Sequence, residues 1–135
     1  MNDIVNIRLS KDANDIAERL VATGKFENVV TAAKFALAYA LKNHFDECDP
    51  STYSIPDSSG SNYNVGSFDN DHLHIQDISQ NAYNHDGKLA ALLRAIYPNS
   101  DTPYIYARAL MVYGLMKIGE RIEREGMPSI SALCE

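Results

Sequence analysis

Between Val29 and Phe45 the chain reads VVTAAKFALAYALKNHF, a stretch of helical length that is apolar nearly all round. A helix of that kind must be covered on most of its sides. This demand constrains everything else, because the first 45 residues hold too little material to cover it. Asn28 stands where an N-cap is needed, its side-chain oxygen able to accept from a free amide of the first turn.

The residues ahead of this helix change period. In IVNIRLS, Val5, Ile7 and Leu9 alternate with Asn6, Arg8 and Ser10, the pattern of a half-buried strand. From Ser10, a second N-cap, the spacing becomes helical: Ala13, Ile16, Ala17, Leu20 and Val21 share one face, and Gly24 ends the helix. No second strand is apparent in the following forty residues. A lone strand exposes unpaired N–H and C=O groups, and the simplest remedy is the same strand from a second chain. Two antiparallel copies with four helices behind them make a two-fold dimer. The expected fold is therefore mostly α, with one short strand paired across a dimer and a C-terminal helix pair.

The order strand, helix, turn, apolar helix resembles the ribbon-helix-helix family over residues 3 to about 44 of the 135. The resemblance implies a ribbon lying in the major groove of double-stranded DNA. It implies base contacts from Asn6 and Arg8, with Ile4 beside them; Arg suits guanine O6 and N7, and Asn suits adenine N6 and N7. It also implies phosphate contacts at the start of the second helix, from Asn28 and Val29, with Ser10, Lys11, Lys25 and Lys34 adding to them. Glu27 departs from this pattern, since a carboxylate there repels phosphate. A narrower resemblance, carried by Ile7–Ser10, Thr23–Gly24 and the final helices, is to the DndE family of DNA sulfur-modification proteins. That family is small, helical and oligomeric, and implies a DNA-processing accessory role.

Residues 46–86 read as an acidic polar linker or long loop, with a short helical piece near Leu73–Ile78 at most. Tyr53, Ile55, Tyr63, Val65, Phe68 and Tyr83 imply that parts of it lie against the helices. The formal charge of −6 comes from here: eight acids and no Lys or Arg lie between Asn43 and Gly87, and the two flanks carry +1 each. The ends therefore permit DNA binding without demanding it, and the acidic segment offers a surface to a basic protein partner. Residues 87–135 return to helix. Asp86 is placed to cap GKLAALLRAIY, and Thr102 with Pro103 opens a long helix running to Gly126. The two helix pairs resemble each other, with Tyr39 matching Tyr113; this is either an internal duplication or the general likeness of amphipathic pairs.

Other chemistry finds little support. His72 and His74 beside Asp69 and Asp71 fall short of the fixed set of three or four ligands a metal needs. GxSxG, CxxC and HExxH are absent from the sequence. GSNYNVGS lacks the lysine and helix of a phosphate loop. Cys48 and Cys134 read as free thiols of a cytoplasmic protein. The start MNDIVNIRL has no secretory pattern, and no run is long enough to span a membrane. The expectation is a non-enzymatic DNA-binding dimer without a cofactor, either a transcriptional regulator or a DNA-processing accessory. The alternative is a protein-interaction module of the same fold.

Overall fold

The computed structural model describes residues 3–57, 59–69 and 87–134. It is mostly helical, with one small antiparallel sheet. β1 (Asn6–Arg8) leads into α1 (Lys11–Ala22) and α2 (Val29–Asn43). β2 (Asn62–Asn64) runs directly into the single turn α3 (Val65–Phe68). Next come α4 (Lys88–Ile96), the long α5 (Pro103–Glu125) and the short α6 (Ile130–Cys134). No helix among the described residues is long and apolar enough to cross a membrane.

The local signals of the first third act as expected. Ser10 Oγ accepts from Ala13 N at 3.2 Å and starts α1. Gly24, at φ +81°, turns the chain after it. Asn28 Oδ1 accepts from Thr31 N at 2.9 Å and starts α2. α2 stops at Asn43, short of the expected Phe45, whose ring is exposed.

α2 is covered by its own chain. Ala32, Ala33, Ala36, Leu37 and Ala40 are buried in one core with Ala107, Leu110, Met111, Leu115 and Ile118 of α5. The helices approach so closely that a Cβ at Gly114 would lie 2.7 Å from the carbonyl carbon of Ala36, and nearer still to its oxygen. α1 packs on the same two helices. The cover that a second protomer was expected to give comes from residues of the last third.

The lone strand is corrected in the same way. β1 pairs with β2 of its own chain, in the register Asn6↔Asn64, Ile7↔Tyr63 and Arg8↔Asn62. Val65 N and Gly60 N extend the ladder to Val5 O and Leu9 O, both at 3.0 Å. Gly60 is what lets the returning segment close in, since a Cβ there would lie 2.5 Å from Leu9 O. Both grounds for a dimer, a lone strand and an uncovered helix, are therefore removed. Parts of the segment after α2 lie against the helices, as its apolar residues imply: Val65 and Phe68 are buried core residues, and Tyr53, Ile55 and Tyr63 pack against that core. The alternation of β1 is shorter than expected, because Val5 is exposed and Ile4 is half-buried against the core.

α4 and α5 are capped from far along the chain. Thr102 and Pro103 open α5 as expected, but Thr102 makes no side-chain cap bond. The carboxylate of Asp3 instead accepts from Tyr104 N at 2.8 Å and Ile105 N at 3.0 Å. Asp69 serves α4: its Oδ2 accepts from Ala90 N at 3.2 Å and from the Tyr104 hydroxyl at 2.9 Å. Burial first, then the bond to Asp69, raises the pKa of that hydroxyl. The expected cap Asp86, the helical piece at Leu73–Ile78, and Asp71, His72, His74 and Tyr83 lie outside the described residues.

Candidate nucleic-acid interface

β1 and β2 form a two-stranded ribbon with one buried and one exposed face. Ile7 is fully buried, while Asn6, Arg8, Asn62 and Asn64 are exposed. Cross-strand partners project to the same side, so the pairs Asn6–Asn64 and Arg8–Asn62 share the outward face. Asn64 uses its oxygen to cap α3, accepting from Gly66 N at 2.8 Å. The amides of Asn6 and Asn62 make no side-chain hydrogen bond among the described residues. Each retains the donor and acceptor that a bidentate contact requires.

Arg8 has a neighbour that the sequence reading did not single out. Arg108, from the second turn of α5, reaches back to β1 and donates from Nε to Arg8 O at 2.7 Å. It is half-buried, and its pKa is lowered by burial and then by the positive charge of Arg8. Arg8 itself reaches toward Gly60 O at 3.4 Å. The signal for Arg108 was present in the sequence, because it is the only charged residue between Pro103 and Met116.

The other expected contacts fare unevenly. Ile4 packs inward and leaves the outward face. Ser10 is 1 % exposed with its hydroxyl turned to Ala13 N, so it does not present itself to a phosphate. Lys11 is exposed but bonded to Asp15 at 3.2 Å, and this bond is the largest cause of its raised pKa. Its backbone amide donates to Asp57 Oδ1 at 2.9 Å. Lys25 and Lys34 are exposed, with no carboxylate partner among the described residues.

The start of α2 does not favour an anion. Asn28 Oδ1 already takes both Thr31 N and Thr31 Oγ1. Asn28 and Val29 line a groove of about 500 Å³ with Val21, Val30 and Tyr63, and Glu18 and Glu27 line it too. Two carboxylates over an apolar floor repel phosphate. The structure thus brings Asn6 and Arg8 together on the ribbon and leaves the expected phosphate contacts scattered.

A second polar cluster lies at the other end of α2. His44 Nδ1 is 2.7 Å from Glu47 Oε2, which makes Nδ1 the protonated nitrogen. The Tyr113 hydroxyl donates to Glu47 Oε1 at 3.1 Å. These bonds, that from His44 foremost, lower the pKa of Glu47. Lys117 sits over the Tyr113 ring and pairs with Glu120 at 3.2 Å. The charges here compensate one another and tie the segment after α2 to α5. Among the described residues no three His, Cys, Asp or Glu side chains gather as metal ligands. Compared with protein-family models, with curated proteins and with solved structures, the chain gives no match.

Proposed function

We propose that this protein binds duplex DNA through the outward face of the β1–β2 ribbon, as a transcriptional regulator or an accessory of DNA processing. The observation that carries this reading is the composition of that face: Asn6, Arg8 and Asn62, exposed side by side on a two-stranded ribbon. A ribbon of this width enters the major groove, and Asn and Arg are the residue types that grip adenine and guanine edges with two hydrogen bonds. The order β1, α1, α2 keeps the ribbon-helix-helix likeness. The second strand comes from the same chain, so one protomer carries a whole ribbon. With Arg8 and Arg108 as its local cations, the interface binds weakly and with a shallow salt dependence.

A second reading, a protein-interaction module, is favoured by the groove at the start of α2. Its apolar floor of Val21, Val29, Val30 and Tyr63 beneath Glu18 and Glu27 suits a basic, apolar segment of another protein. Fluorescence anisotropy on random duplex DNA at low and moderate salt decides between them. Salt-sensitive binding that weakens in Arg8→Ala and Asn62→Ala supports the ribbon. No binding at low salt by the folded protein removes the DNA reading and leaves the module.

A further inference from the structure

We propose that the outer edge of β2 takes up an extended, basic segment of a partner protein as a third strand, with that segment's apolar side chains seated in the groove at the start of α2. In an antiparallel ladder, successive residues direct their N–H and C=O groups to opposite sides. Val65 N bonds to Val5 O at 3.0 Å, so Val65 and Tyr63 face β1. Asn62 and Asn64 therefore turn their backbone N–H groups, and Asn62 its C=O, away from β1. No hydrogen bond among the described residues uses these groups. The opposite edge of the ribbon is closed, since Arg108 of α5 donates to Arg8 O at 2.7 Å. An open edge is a template for another strand: main-chain hydrogen bonds give affinity, and pockets for alternate side chains give specificity.

Such a pocket adjoins β2. Tyr63, its middle residue, lines the groove of about 500 Å³ with Val21, Val29 and Val30. In a strand laid beside β2, every second side chain projects to the face that Tyr63 occupies. Glu18 and Glu27 line the same groove and set the charge of the occupant. All twelve Lys and Arg of the chain are among the described residues, and none pairs with either carboxylate. Glu18 has only the Asn14 amide, at 3.4 Å. Residues 70–86 contain no Lys or Arg, so the chain's own acidic stretch does not answer this charge, whereas a basic partner does.

This docking deepens the protein-interaction reading of the groove and rests on it, not on the DNA reading. The test adds a short synthetic peptide of alternating lysine and valine to the full chain, with no DNA present. Fluorescence anisotropy of the labelled peptide is expected to show binding, weakened about fivefold in the double variant Glu18→Gln, Glu27→Gln. A glutamate–valine peptide is expected not to bind. Hydrogen exchange at the backbone amides of Asn62 and Asn64 is expected to slow about tenfold at saturating lysine–valine peptide. Binding without slowed exchange at these two amides overturns strand addition. Equal binding of the glutamate–valine peptide, or an unchanged affinity in the double variant, overturns the basic partner. No binding overturns the proposal outright, including where residues 70–86 or a second copy already hold the edge. A chain that binds no duplex but still shows slowed exchange with the peptide loses the DNA reading and keeps this site.

Discussion

Gly114→Ala is the sharpest test of how the two ends of the chain share one core. Within a helix this change is ordinarily favourable by about 1 kcal/mol, because alanine restricts the unfolded backbone. Here the added methyl meets the backbone of Ala36, with 2.7 Å to its carbonyl carbon and less to the oxygen. Ordinary contact needs about 3.5 Å, and the oxygen, as the nearest atom, sets the movement, so α2 and α5 must separate by roughly 1 Å or more. A gap of that size forfeits a quarter to a half of the dispersion energy along the facing alanines. Overpacking against rigid backbone belongs at the upper end of the usual range, about 3 kcal/mol. The net expectation is a loss of about 2 kcal/mol, or roughly 8 °C in Tm for a chain of this length. Gly119→Ala is the control. Its methyl would meet Ile16 Cδ1 at 2.5 Å, the far end of a flexible side chain that can turn aside, so that variant is expected within about 1 kcal/mol of wild type. Urea unfolding followed by circular dichroism gives both values. If Gly114→Ala is as stable as Gly119→Ala, the described contact between α2 and α5 is wrong.

Burial, and then the charge of Asp49, pushes the Cys48 thiol up to about 11, while Cys134 is exposed. A thiol reagent at neutral pH is expected to label Cys134 quickly and Cys48 only on unfolding; fast labelling of both refutes this. Because the folded pKa of Cys48 lies above its ordinary value of 9.0, the stability it lends is complete below pH 9 and is lost as pH rises toward 11. That loss amounts to roughly 2–3 kcal/mol, and it is expected to be missing in Cys48→Ala. For Asp69 and Tyr104, a double-mutant cycle of Asp69→Asn with Tyr104→Phe is expected to give a coupling of about 1–2 kcal/mol, whereas additivity would exclude the buried bond.

Helices α1, α2 and α5 were legible because their information is local. Periodic apolar residues, Ser10 and Asn28 as caps, and Pro103 at a first turn each act on neighbours within a few residues. β2 was not legible. Asn62-Tyr63-Asn64 has one apolar residue and no run of β-branched ones, and its pairing depends on the close backbone approach that the missing Cβ of Gly60 allows. The dimer was expected because the chain's own cover for α2 lies some seventy positions further along. The outward side chains of β1 could be named, since strand alternation fixes them, but the interior alternation failed at Val5. Arg108 was hidden among apolar residues as a single charge whose purpose is visible only once β1 lies beside it. Ser10 shows the opposite error: one hydroxyl was given two tasks, and capping α1 turns it away from solvent.

The reach of Asp3 has a consequence for how the molecule assembles. The amides it holds are 101 and 102 residues away. Closing a loop of that size is slow, so this bond forms only after most of the chain has collapsed. Helix α5 therefore passes through the folding barrier with an open first turn, and the N-terminal segment acts as a late latch. Asp3→Ala is then expected to speed unfolding while leaving the folding rate nearly unchanged.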